Sequence, residues 1–425
     1  MAAEWRAAKL GEVLGSKGYI RGPFGSALKR GELLTAGIPV YEQQHAIYGT
    51  REFRFFIDDA KYQELARFTV QPNDLIISCS GTLGRVSVIR EGDPVGIISQ
   101  ALLILRPDTQ LIDPSFLYYV LSSPAGFHSM VSVSTGSVQV NIAKRSIIED
   151  IDLQLPPLPE QKAIARILGT LDDKIELNRR MNATLEAMAR ALFQSWFVDF
   201  DPVHAKAAGR PPSGMDAATA ALFPSAFQSS ALGEIPEGWT ADSVSNVFHL
   251  TMGQSPPGDT YNEAGEGTPF YQGRTDFGFR FPTRRMFCTA PTRLAKECDT
   301  LVSVRAPVGD INMAIEDCCI GRGVAAVRHK QAAHSFTYYA MANLRPHFAN
   351  YESEGTVFGA INKVNFEKLP VVAPSREVLT AFEKLAGPID EQIRINETQS
   401  RALATLRDTL LPKLLSGELS TATAA

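Results

Sequence analysis

The sequence predicts an α+β fold: two mixed α/β globules separated by two long antiparallel helices that form a coiled coil, the halves being a pseudo-two-fold internal repeat. Three observations point there. Short strings recur in one order, β-branched runs punctuated by Gly and Pro alternate with long stretches that nearly lack both, and those stretches carry heptads. With 425 residues, 44% hydrophobic and 21% charged, the chain has room for two or three domains and is not wholesale disordered.

The first globule, residues 1–155, holds Asp74-Leu75-Ile76-Ile77-Ser78 followed by Gly84. The second, residues 237–373, holds Asp299-Thr300-Leu301-Val302-Ser303 followed by Gly309. Pro39-Val40-Tyr41 echoes Pro269-Phe270-Tyr271, Ser115-Phe116-Leu117-Tyr118-Tyr119 echoes Ser335-Phe336-Thr337-Tyr338-Tyr339, and Gly136-Ser137-Val138 echoes Gly355-Thr356-Val357. Asp172-Asp173-Lys174-Ile175 matches Asp390-Glu391-Gln392-Ile393. Runs such as Leu75–Ile77, Val86–Ile89 and Leu301–Val304 predict short strands, and Pro114–Leu121 and Ser335–Asn343 predict helices.

Residues 156–200 read as the first long helix. Pro156-Pro157-Leu158-Pro159 opens it, and Ile164, Leu171, Asn178, Leu185 and Leu192 form a seam with a seven-residue period. Residues 374–417 read as the second, with Phe382, Ile389, Asn396, Leu403 and Leu410 in the same register, Gly387-Pro388 interrupting it near its start, and Pro412 near its end. Asn178 and Asn396 are expected to set helix register through an Asn-to-Asn hydrogen bond that fixes the pairing of the two helices; the alternative is a seam position near a frayed, wet stretch. Residues 201–236 read as a partly ordered connector that packs through Phe223 and Phe227, and residues 418–425 as a tail.

Forty-two basic and forty-six acidic side chains give a net charge of −4, so composition offers no hint of nucleic acid and any such reading must be local. Five cysteines without C-x-x-C spacing suggest reduced thiols, hence a cytoplasmic setting, and no apolar run is long enough for a membrane. Walker A spacing, a G-x-S-x-G elbow and metal-ligand spacing of histidines do not occur. Ser255-Pro256-Pro257 begins like an adenine-methyltransferase motif, but Gly258 stands where an aromatic ring would stack on a flipped base. The chain is expected not to be an enzyme, with no catalytic residues, no metal and no cofactor of its own.

A family resemblance follows from particular strings. Leu155-Pro156-Pro157-Leu158-Pro159-Glu160-Gln161, Trp196-Phe197-Val198-Asp199-Phe200-Asp201-Pro202, Gly233-Glu234-Ile235-Pro236-Glu237-Gly238-Trp239 and Leu410-Leu411-Pro412-Lys413-Leu414-Leu415-Ser416-Gly417 resemble the conserved regions of the specificity subunit of Type I restriction–modification systems. The resemblance implies that the globules are target recognition domains reading a bipartite, asymmetric site in double-stranded DNA. It implies docking of two methyltransferase subunits that bind S-adenosylmethionine, and restriction subunits using ATP and Mg where such subunits exist. Asp172-Asp173-Lys174, Glu176 and Arg179-Arg180 are either part of that docking surface or a solvated face. Readers facing one side of the duplex would have half-site centres ~10 bp apart. The alternative is a structural adaptor with two protein-binding globules on a coiled-coil spacer.

Candidate DNA contacts fall in matching loops. Ser80, Gly81, Thr82 and Arg85 follow the first apolar strand, and Arg305 follows its copy; the loops suit phosphate oxygens or are simply hairpin turns. Gln43, Gln44 and His45 match Gly273–Thr275, which include Arg274. Gln139 and Asn141, with Lys144, match a segment containing Asn362 and Lys363, and Gln or Asn can grip adenine bidentately. Arg280, Arg284 and Arg285 cluster among phenylalanines as candidate guanine readers or a solvated basic face.

Overall fold

The computed structural model describes residues 5–24, 27–131, 142, 144–353 and 359–421. The chain divides into two compact units, residues 1–175 with 402–425, and residues 176–401. Each unit therefore takes part of both long helices, which span Leu158–Phe197 and Arg376–Leu415.

In the first unit a four-stranded antiparallel sheet runs in the order Leu14–Arg21, Leu102–Pro107, Leu75–Ser78, Val86–Val88. Leu75–Ser78 is buried on both faces, as the apolar run Leu75–Ile77 requires. A small second sheet sets Ile38–Tyr41 antiparallel to Phe56–Ile57 and parallel to Ile97–Ile98. The helix Pro114–Ser122 is opened by Asp113, whose side chain accepts from Phe116 N, and buries Phe116, Leu117 and Leu121. These join Ile164 and Leu168 of the first long helix and Leu411 and Leu414 of the second in one core.

The second unit repeats this plan. Phe248–Met252, Val324–His329, Thr300–Ser303 and Ile311–Met313 form its four-stranded sheet, and Thr268–Tyr271 pairs parallel with Cys318–Ile320. The repeat extends to individual bonds. Arg106 Nε donates to Asp74 Oδ1 at 2.7 Å, and Arg328 Nε to Asp299 Oδ1 at 2.5 Å. The helix His334–Asn343 stands where Pro114–Ser122 stands in the first copy, within a core built on Phe336, Tyr339, Phe193, Phe197 and Phe382. The connector is ordered. It forms helices Asp201–Ala207 and Ala217–Ala221 and a hairpin of Phe227–Ser230 with Gly233–Pro236, and it seats Phe223 against Trp196 at a centroid distance of 5.0 Å.

The long helices run antiparallel in each unit. In the first, Arg407 Nη1 donates to Asp172 Oδ1 at 2.6 Å. In the second, Asn178 Nδ2 donates to Gln399 Oε1 at 2.9 Å, while Asn182 Nδ2 donates to Glu397 Oε1 at 3.1 Å. Position rises along one helix as it falls along the other. Asn396 Nδ2 donates to Asn182 Oδ1 at 2.8 Å, so the side-chain asparagine pair is 182 with 396, whereas Asn178 reaches only the carbonyl of Asn396, at 3.4 Å. The expected break at Gly387-Pro388 does not occur, and the helix runs through it and through Pro412. Pro388 and Pro412 are both exposed, so the carbonyl each leaves without a helical donor can be satisfied by water.

Candidate nucleic-acid interface

Each unit displays an equivalent loop after its central strand, and one serine builds it. Ser78 Oγ donates to Thr82 O at 2.6 Å and accepts from Arg85 N at 3.0 Å. Ser303 Oγ donates to Pro307 O at 2.7 Å and accepts from Asp310 N at 2.9 Å. The loops close on Gly84 and Gly309, whose φ values of 66° and 87° favour glycine. Backbone bonds then hold each loop against a second turn. Cys79 N donates to Ala101 O at 2.8 Å, and its copy Val304 N donates to Gly323 O at 3.0 Å. Ser99 N donates to Tyr41 O and Gly321 N to Tyr271 O, both at 2.8 Å. These matches place Ser80 opposite Arg305 and Gln100 opposite Arg322 in the repeat.

In the second unit the two turns border an open cleft of about 700 Å³, lined by Ser255, Gln272, Arg274, Phe277, Arg305 and Arg322 among others. Arg274, Arg305 and Arg322 are exposed. Arg274 Nε is held by Asp310 Oδ2 at 2.5 Å. Among the described residues the side chains of Arg305 and Arg322 have no carboxylate partner. Three guanidinium groups on one cleft suit anionic or acceptor-rich ligands.

In the first unit Ser80, Gly81 and Thr82 are exposed, and Gln43 Nε2 donates to the carbonyl of Ser80 and, at 2.6 Å, to its Oγ. The loop and the start of helix Gln43–Tyr48 thus form one polar patch. Gln44 Nε2 donates to Glu52 O at 3.3 Å. Arg85 is exposed, its guanidinium 5.5 Å from the centre of the Phe127 ring.

Two expected contacts are internal instead. His45 is fully buried: its ring stacks on Phe53 at 4.6 Å, Nδ1 faces Glu42 N at 2.7 Å, and Nε2 faces Glu52 O at 3.0 Å. Burial holds its pKa below the ordinary value, and it pins a turn rather than facing solvent. Arg280 is also fully buried. It pairs with Glu186, with Asp390 at 3.1 Å and with the Tyr339 hydroxyl at 2.7 Å, and lies 3.7 Å over the centre of the Tyr338 ring. Burial opposes its charge, but Tyr338, Asp390, Tyr339 and Glu186 outweigh that and hold it protonated. An arginine among aromatic rings looks the same in sequence whether it reads bases or fills a core.

The remaining candidates lie at the surface in ordinary roles. Arg284 bridges Glu316 at 2.5 Å, Arg285 bridges Asp276 at 3.0 Å, and exposed Lys363 reaches Glu367 at 3.5 Å. Asn362 caps the helix Lys363–Glu367 by accepting from Asn365 N at 2.9 Å. Lys144 is exposed at the start of Arg145–Glu149. Gln139 and Asn141 lie outside the described residues. Arg322 and Gln100 stand at these turns without being among the sequence candidates; the available signal was an arginine between two glycines just after an apolar strand. Among the described residues no cluster of His, Cys, Asp and Glu could hold a metal, and no helix is long and apolar enough to cross a membrane.

The chain is similar to several known proteins. Residues 36–187 match the family described as the Type I restriction modification DNA specificity domain. The chain is 29% identical over 373 residues to a Methanocaldococcus jannaschii protein named as the type I restriction enzyme MjaX specificity subunit, covering 86% of this chain and 82% of that one. It is 26% identical over 381 residues to the type I restriction enzyme HindI specificity subunit of Haemophilus influenzae, covering 76% and 81%. The crystal structure of the Type-I restriction-modification system S subunit from M. genitalium shares the fold, with a TM-score of 0.60 and 16% identity over 97% of this chain and 96% of that one.

Proposed function

We propose that the chain is a specificity subunit of a Type I restriction–modification system, and that each of its two units reads one half of a bipartite, asymmetric site in double-stranded DNA. The observation that carries this is the pair of equivalent loops on one repeated scaffold bearing unlike side chains, Ser80 and Gln100 in one unit, Arg305 and Arg322 in the other. One scaffold twice with different donors suits a divided site with unequal halves. Gly81, Thr82, Arg85 and Lys144, all exposed, are the candidates for phosphate contact.

Two methyltransferase subunits dock on the long helices. The helices repeat the same exposed apolar positions: Leu177 and Ile395, 44% and 47% exposed, and Met188 and Leu406, 54% and 46% exposed. Each pair keeps the spacing that relates Asp172 to Asp390, so one partner surface can be met twice. The repetition of these positions in both helices, rather than their exposure alone, is what supports a partner met twice. Asp172, by contrast, is engaged by Tyr119 and Arg407. The chain itself is non-catalytic. The methyltransferases bring S-adenosylmethionine, restriction subunits where present bring ATP and Mg, and the complex works in the cytoplasm.

Methyl transfer from labelled S-adenosylmethionine to duplex DNA, with the cognate methyltransferase and with and without this chain, tests the assignment. Transfer is expected only when both are present. Transfer by either protein alone at the same sites contradicts it.

A further inference from the structure

The reading surfaces of the two units differ at two positions in a way that assigns a base class to one of them. Arg322 sits between Gly321 and Gly323, and the backbone on both sides of it is clamped. Gly321 N donates to Tyr271 O at 2.8 Å, and Gly323 N donates to Gln272 O at 3.1 Å. A Cβ on Gly323 would stand 2.3 Å from Gln272 O, so the turn packs as tightly as backbone allows. Arg305 is fixed similarly, with Val304 N bonded to Gly323 O at 3.0 Å and Ala306 N to Gly359 O at 2.9 Å.

Two guanidinium groups, without carboxylate partners among the described residues, therefore project from rigid backbone into one cleft of about 700 Å³. Arg274, on the same cleft, differs in being held by Asp310, which partly spends its charge. A planar guanidinium matches the O6 and N7 acceptors of guanine bidentately, and a rigid base lowers the cost of ordering it. At the equivalent positions the first unit carries Ser80 and Gln100, both exposed. Glutamine matches the N6 and N7 of adenine, and serine discriminates weakly.

Resting on the proposed reading of a divided DNA site, we infer that Arg305 and Arg322 recognise guanine in the half-site read by the second unit, and that Gln100 occupies the corresponding reading position in the first. A phosphate role for the same arginines predicts something different. Losing a phosphate contact weakens binding to all sequences alike, whereas losing a base contact relaxes one position.

The test uses the assembled complex with its methyltransferase and maps modified adenines across a genome for the unaltered chain and for Arg322→Gln, Arg305→Ser and Gln100→Arg. Both arginines are exposed, and a matched thermal unfolding midpoint shows that each variant folds. The expected result is a split motif in which each arginine variant loses discrimination at a G·C pair of the same half while the other half is unchanged. Gln100→Arg should alter only the other half. A second measurement needs no variant: 7-deazaguanine in that half removes the N7 acceptor and leaves O6, and should weaken binding of the unaltered complex by about 5-fold, the lower end of what a bidentate contact contributes. A split motif whose halves all survive the arginine substitutions, or a uniform drop in methylation with the motif intact, overturns the guanine assignment and leaves the divided-site reading standing. Absence of a split motif in the unaltered complex overturns the reading beneath it.

Discussion

Tyr119 Oη donates to Asp172 Oδ2 at 2.6 Å, tying the helix Pro114–Ser122 to the first long helix. Its copy in the second unit sets Tyr339 Oη 3.4 Å from Asp390 Oδ1. The duplicated strings Tyr118-Tyr119 and Asp172-Asp173 are thus the two ends of one bond, inherited by both halves. Tyr119→Phe removes a donor to a carboxylate and should lower stability by about 1.5–3 kcal/mol, read from urea unfolding. An unchanged midpoint would mean that the Arg407 contact suffices alone.

Asn396 should matter more than a seam position usually does. Asn396→Ala leaves Asn182 Oδ1 without its 2.8 Å donor in a seam where both residues are buried. The expected loss is about 1–3 kcal/mol. Asn178→Ala, which retains that pair, should cost less, and the reverse order would show that the Asn178 bonds to Gln399 and Ser400 set the register.

Arg280→Met tests whether that side chain is structural. It leaves Glu186 and Asp390 facing each other without their shared cation, and removing one partner of a buried pair typically costs about 3–5 kcal/mol. The Arg280→Met, Asp390→Asn double variant should recover part of the loss. Equal stability of the single variant would contradict the buried-anchor assignment.

Acid should destabilise the second unit through His329. Burial between Phe248 and Phe336 pushes its pKa down from 6.5 to about 4. The unfolded chain then binds a proton near pH 6.5 that the folded chain refuses until about pH 4, so stability falls as pH drops through that window and levels off below it. The loss is at most ~3 kcal/mol. His329→Gln should flatten thermal midpoints between pH 7 and 4.5, and an unchanged slope would place the acid sensitivity elsewhere.

Leu177→Glu with Ile395→Glu should weaken capture of the methyltransferase at least tenfold while leaving the unfolding midpoint near its original value, because both side chains are substantially exposed. Undiminished capture would move the docking surface off these positions.

The heptad and repeated strings made the helices, their antiparallel pairing and the paired α/β units readable, because periodicity and order are properties of the chain itself. The partner of Asn396 was not readable. Antiparallel registers one turn apart place either Asn178 or Asn182 opposite it, and only packing chooses. Pro388 read as a break because its missing N–H is visible in sequence, whereas the exposure that makes it tolerable is not. His45 and Arg280 shared the composition of surface readers but are spent inside. The equivalence of Arg322 and Gln100 is not legible in sequence, because it arises only through the bonds from Ser99 and Gly321 to Tyr41 and Tyr271.

The genomic pattern of adenine methylation laid down by the proposed partner methyltransferase in the presence of this chain tests the central claim most directly. Two unlike recognition elements separated by a fixed number of unread base pairs are predicted. A single continuous motif, a palindrome of identical halves, or modification without sequence preference would contradict the claim that the duplicated units read different DNA.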